Sequence, residues 1–211
     1  MKKLLMAVAV AGLVGTVNAQ SAFKGFYGQV GIGYEQSSSS FTGGSVSGAG
    51  YSVNANNSNA FTGGVGIGGY FPLTSNFLLG VGAVYSPIAS SSSNFTLSIA
   101  GVGDIAGSYK KKDSYNIFLS PAFVIDKDKL AYAKIGYTGT NVQTTAAGAS
   151  ETKSYTGYSL GLGYRQVIQG GFYGFGEVNY AAYSSQSDGG GFSGSSKPTA
   201  INVMFGVGYK F

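Results

Sequence analysis

Bulky apolar residues occupy alternate positions over much of the chain. Phe26, Val30, Ile32 and Tyr34 are interleaved with Tyr27, Gln29, Gly31, Gly33 and Glu35. A two-residue period predicts a β-strand with two unlike faces. The same alternation recurs at 61–71, 77–85, 115–125, 131–137, 158–164, 172–180 and 201–211, which makes eight strands. Their second face is mostly Gly, Ser, Thr and Ala. A water-soluble sandwich would turn its apolar face inward and place Lys and Glu on the other. Here the charges are very few, and the pattern fits the inverse arrangement, with bulky side chains toward lipid and small ones toward a lumen.

Aromatic residues sort toward the strand ends. Phe26, Phe71, Phe77, Phe123, Tyr164, Phe172, Tyr209 and Phe211 fall near one end, and Tyr34, Phe61, Tyr85, Tyr115, Tyr137, Tyr158 and Tyr180 near the other. Two such girdles mark the two interfaces of a membrane barrel. Connections also alternate. Short ones are expected at 72–76, 126–129 and 166–171, and long Ser/Gly/Asn/Thr-rich ones at 37–59, 87–113, 139–154 and 183–199. Short turns inside and long loops outside set the orientation. The predicted fold is an all-β, eight-stranded antiparallel up-and-down transmembrane β-barrel, as a monomer with four mobile extracellular loops. Phe95, Leu97 and Ile99 alternate within the second long connection and are read as a strand extension above the bilayer; a ten-stranded barrel is the alternative.

The N-terminus predicts export. Lys2 and Lys3 precede an uncharged apolar run at 4–14, and Val17-Asn18-Ala19 offers a cleavage site, so 1–19 is expected to be a signal peptide and 20–211 the barrel domain. The run is too short to span a bilayer as a helix. Removing Lys2 and Lys3 lowers the net charge from +5 to +3. No concentrated basic face appears, which argues against nucleic acid. Lys110, Lys111 and Lys112 read as a solvated loop, with contact to lipopolysaccharide phosphates as a secondary reading.

Charged residues make up 10% of the chain, against roughly 25% in ordinary soluble domains. There is no Cys and no His. Nucleophilic relays and metal or haem sites of the usual ligand types are therefore not expected, and neither is a cofactor. Asp104, Asp113, Glu151 and Asp188 are dispersed among the predicted loops rather than paired across a cleft, so no enzyme activity is expected. Gly64-Val65-Gly66-Ile67-Gly68-Gly69 formally matches G-x-G-x-x-G, but it lies within a strand and no helix follows. Its glycines instead leave room in a narrow lumen for Tyr27, Phe118, Tyr132 and Phe175.

Four charges fall on predicted lumen faces: Glu35, Lys134, Arg165 and Glu177. Enclosed charges should be paired. An Arg165–Glu177 bridge with Lys134 beside it is expected, acting as a static filler; a gate in a narrow conductive path is the other reading.

The opening strand Gly25-Phe26-Tyr27-Gly28-Gln29-Val30-Gly31-Ile32-Gly33-Tyr34 and the ending Phe205-Gly206-Val207-Gly208-Tyr209-Lys210-Phe211 resemble those of OmpA/OmpX-type and opacity-type surface proteins of the bacterial outer membrane. In this resemblance Gly206, Tyr209 and Phe211 match the assembly signal read by the barrel-assembly machinery, while Met204 departs from it, standing where that signal carries a polar residue. No peptidoglycan-binding domain is expected after the last strand. The resemblance implies an outer-membrane location among lipid and lipopolysaccharide. It also implies a structural or surface-interaction role, with loops meeting a host or surface ligand. The alternative is a narrow channel or a conduit for small hydrophobic solutes.

Overall fold

The computed structural model describes residues 22–146, 148–189 and 192–211. Twelve strands follow in order: β1 Gly25–Thr42, β2 Gly44–Val46, β3 Ala49–Ala55, β4 Ser58–Pro72, β5 Phe77–Ser86, β6 Ser93–Ile99, β7 Gly103–Asp126, β8 Lys129–Ala146, β9 Ala149–Gln169, β10 Phe172–Tyr183, β11 Gln186–Gly189 and β12 Phe192–Lys210. Eight of them close a ring in the order β1, β4, β5, β7, β8, β9, β10, β12, every neighbouring pair being antiparallel. β12 returns to β1 with Tyr27 opposite Lys210 and Thr42 opposite Ser195. Closure leaves the ring without an open edge. The ten-strand alternative is excluded, because β6 pairs with β3 and β7 beyond the ring rather than entering it. The expected signal peptide lies outside the described residues.

The two faces are as unlike as the alternation predicts. Ile32, Ile67 and Leu162 are about 70% exposed on the outside, while Tyr27, Gln29 and Glu35 are buried within. Val30, Leu160 and Val207 also point outward. Both aromatic belts form, with rings of adjacent strands in edge contact: Tyr34 with Phe61 at 5.8 Å on one belt, Phe77 with Phe123 at 5.1 Å and Phe172 with Tyr209 at 4.9 Å on the other. Such edge-to-face pairs add to the interfacial preference of the rings themselves.

At one end the turns are short, occupying 73–76, 127–128 and 170–171. At the other, the expected loops are largely strand. β8 and β9 stay paired up to Ala146 opposite Ala149, and β1 and β12 up to Thr42 opposite Ser195. β2, β3 and β6 fill the wall between β12 and β7. The Ser- and Thr-rich segments read as loops because they lack bulky alternation. Their backbone groups are nonetheless met by neighbouring strands, which suffices to keep them extended. The result is a β-structured crown standing on the ring.

A bulge separates the two parts of β7. Between Lys111 and Ser114 one extra residue enters the ladder against β8. The inward parity therefore switches, from even-numbered Phe118, Ser120 and Ala122 in the ring to odd-numbered Tyr109 and Lys111 above it.

Candidate functional site

The bore is filled from its short-turn end upward. Arg165, on the inner face of β9, is 1% exposed. Four tyrosines from four other strands surround its guanidinium, with Cζ 4.1 Å from the ring centre of Tyr27, 4.9 Å from Tyr132, 5.0 Å from Tyr173 and 5.3 Å from Tyr70. Nη2 donates to Gln29 Oε1 at 2.8 Å, and the Tyr173 hydroxyl donates to the same oxygen at 3.2 Å. Nε and Nη1 have no hydrogen-bond partner. The aromatic faces supply the negative potential that acceptors would otherwise provide. Phe23, Leu78, Ala122, Leu130 and Phe175 complete the plug. The segment before β1 caps it: Phe23 meets Tyr173 edge-on at 6.1 Å, and the Ala22 amide donates to Lys127 O at 3.1 Å.

Above the cage a polar ladder climbs the wall. Tyr132 Oη donates to Glu177 Oε1 at 2.6 Å, and Lys134 Nζ donates to Glu177 Oε2 at 3.0 Å. Asn179 Nδ2 joins Glu177 Oε2 at 3.3 Å to Asn202 Oδ1 at 3.1 Å. Asn202 Nδ2 reaches Glu35 Oε2 at 3.4 Å, Ser37 donates to Glu35 Oε1 at 3.1 Å, and Lys111 closes the ladder in an ion pair with the same oxygen. Lys134 Nζ also lies 4.2 Å over the Phe118 ring. Each enclosed carboxylate is thus both charge-paired and hydrogen-bonded, the condition under which such groups are tolerated away from water. Opposite the ladder, Gly31, Gly64 and Gly66 border a cavity of about 70 Å³.

The expected Arg165–Glu177 bridge does not form. Glu177 takes Lys134 as its ion-pair partner, and Arg165 takes the tyrosine rings. The cause is Gly163, which faces both Tyr132 and Glu177 across the strands. A Cβ there would lie 2.4 Å from Tyr132 Cζ, so the Tyr132 ring uses that gap and stands between the two charges. Glu35 does belong to the lumen set, but its partner is Lys111. That residue is buried rather than part of a solvated loop, while Lys112 is exposed. Alternation alone could not have shown this, since Lys111 shares its numerical parity with lipid-facing Tyr115 and Ile117 and the inward parity switches at the bulge between them. Tyr70 and Tyr173 were missed because they border turns. Gly68 does leave the space expected for Tyr27, since a Cβ there would lie 2.5 Å from its hydroxyl. The G-x-G-x-x-G run lies wholly within β4.

At the barrel seam, Gly206 faces Gly31, Tyr209 packs on Phe211 at 5.4 Å, and the Phe211 amide donates to Phe26 O at 2.9 Å.

A closed antiparallel ring with an apolar exterior between two aromatic belts and a polar, filled interior is a membrane-spanning β-barrel. The chain belongs to the outer membrane protein beta-barrel domain family, whose model matches residues 5–211. It is a protein of the outer membrane, with short turns toward the periplasm and the crown outside. Among solved structures it is similar to OprG from Pseudomonas aeruginosa, with a TM-score of 0.53 at 14% identity over 91% of this chain and 99% of that one. It is equally similar to Neisserial surface protein A, with a TM-score of 0.53 at 11% identity over 89% and 98% of the two chains. The outer membrane protease OmpT from Escherichia coli gives a TM-score of 0.50 at 9% identity over 88% and 96%. At these identities the likeness is one of fold, and the proteolysis is OmpT's own. A comparison with curated proteins finds no match.

Proposed function

We propose that the protein is a monomeric, non-catalytic surface-interaction protein whose working part is the extracellular crown, the barrel below serving as a solid pedestal. The observation that carries this reading is the caged Arg165, which with its aromatic neighbours stops the bore at the periplasmic end. An eight-stranded ring has an interior just wide enough for side chains to fill. The crown, in contrast, continues the ring strands beyond the upper tyrosine belt and adds β2, β3 and β6. Export by a cleaved segment at 1–19 and insertion through Gly206, Tyr209 and Phe211 as the assembly signal belong to the same proposal. So does contact of Lys110 and Lys112 with lipopolysaccharide phosphates, both residues lying above the Tyr115 belt.

Planar-bilayer recording together with a surface-adhesion assay tests it. The expected result is no discrete conductance, and adhesion that is lost when the crown portions of 37–59 and 183–199 are removed. Discrete openings that change with Arg165→Ala or Glu177→Ala would establish the channel instead.

A further inference from the structure

The crown holds another cavity, partly open and about 250 Å³ in volume, that shares no lining residue with the one in the bore. Its wall is drawn from many strands, with Phe41, Val53, Phe95, Leu97, Val142 and Tyr155 among the lining residues. Phe41 and Phe95 face each other there with ring centres 6.4 Å apart. The polar atoms of the floor are committed elsewhere: Tyr109 Oη donates to Asn56 O at 2.5 Å, and the Tyr155 and Ser196 hydroxyls bond each other at 2.9 Å. Burial pushes the Tyr109 phenol above its ordinary range, so the floor is uncharged at neutral pH. One charge of each sign also lines it, Glu151 and Lys153, whose side chains lie 3.9 Å apart. Below, the Lys111–Glu35 pair and the Tyr155, Tyr183 and Ala200 cluster separate the cavity from the bore.

We infer that this crown cavity is a binding site for a small neutral hydrophobic molecule, of one or two fused rings or a comparable aliphatic size. An apolar cavity of about 150 Å³ in an unrelated protein stays dry and admits benzene, so this one has room for a somewhat larger guest. A mostly apolar lining, with few polar groups left to orient a guest, is the usual make-up of such sites. The inference goes beyond the surface role, since it concerns a guest inside the crown and not a partner on its rim.

The test is a titration with indole of the protein in lipid nanodiscs, followed by methyl NMR. Val53, Leu97 and Val142 report on the cavity, and Leu160, Leu162 and Val203 on partitioning into lipid. Saturable shifts confined to the first set are expected, with at least a tenfold weaker apparent affinity in Leu97→Trp. Ala146→Trp, nearer the rim, is the second variant should the first fail to show the heat-modifiable gel migration of a folded barrel. Crown shifts that rise without saturating, or that saturate unchanged in a folded variant, would overturn the assignment. Loss of indole binding with adhesion intact would remove this inference alone, and the reverse would remove only the surface reading.

Discussion

The bore and the crown are built from the same strands and are filled in opposite ways. In the bore, long inward residues lie over glycines at the paired position of the neighbouring strand. Tyr27 projects over Gly68, Tyr132 over Gly163 and Phe175 over Gly206, and the space closes. In the crown, the lining includes short residues such as Thr144 and Ala146, and a cavity of about 250 Å³ remains. Size complementarity between paired positions of neighbouring strands, more than strand geometry, therefore decides whether such a cylinder is a pillar or a vessel. The charges obey the same division. Those in the bore are enclosed and individually partnered, whereas Glu151 at the crown is largely exposed and its pairing adds little.

The sharpest way to break the pillar is at its seam. A side chain at Gly206 would place Cβ 2.2 Å from the Val30 carbonyl oxygen and 2.6 Å from the Phe175 ring. Backbone cannot yield as a flexible side chain can. Gly206→Leu should cost more than about 4 kcal/mol, in the range reserved for disrupted cores. The expected outcome is loss of heat-modifiable migration; a variant that folds with normal yield would show the seam to be looser than described.

Next in size is the ladder. Glu177→Leu strands Lys134, itself 4% exposed, and removes the acceptor of Tyr132. Breaking one side of a buried pair costs about 3–5 kcal/mol. Urea unfolding in lipid vesicles should show a loss of that order, and Lys134→Met combined with Glu177→Leu should recover most of it. Arg165→Met comes third. It removes desolvated cation–π contacts worth about 2 kcal/mol, yet also removes two nitrogens that lack acceptors, so the net loss should be near that figure and below the Glu177 effect. If Arg165→Met proved the more damaging, the rings would be contributing more than the ion pair.

These differences also show what the sequence could and could not disclose. The ring was legible because its outward residues alternate strictly and its belts are aromatic: Phe77 through Tyr85 shows both the alternation and a ring at each end. The membership of Glu35, Lys134, Arg165 and Glu177 in the lumen followed from parity alone. Their partners did not, because pairing across the bore depends on the register of non-consecutive strands and on which glycine vacates space for which ring. Gly163 decides that Tyr132 comes between Arg165 and Glu177, and no local pattern encodes it. The crown was hidden for a different reason. Ser37, Thr144 and Thr199 carry little hydrophobic signal, so their strands are recognised only through the neighbours that satisfy their backbones.

The smallest expected effect concerns the joint between the two regions. Opposite β8, the run from Lys111 to Ser114 spans three steps where Val142 to Thr140 spans two. The bulge is held by Asn141 Nδ2 donating to Asp113 Oδ1 at 2.9 Å and by the Thr140 hydroxyl donating to Asp113 O at 2.8 Å. Removing Lys112 should make the ladder continuous, with residues 111, 113 and 114 opposite 142, 141 and 140. Lys111 then still faces inward, because the extra residue and not the direction of Lys111 is what is lost. Deletion of Lys112, whose side chain is exposed, should therefore change the unfolding free energy by no more than about 1 kcal/mol, the centre of the range for single changes. The decisive measurement is Lys111→Ala in both backgrounds. An equal cost in each would show that the Glu35 pair survives the deletion. A cost that vanishes in the shortened chain would mean that the bulge itself aims Lys111 into the bore, and that crown and pillar are coupled through it.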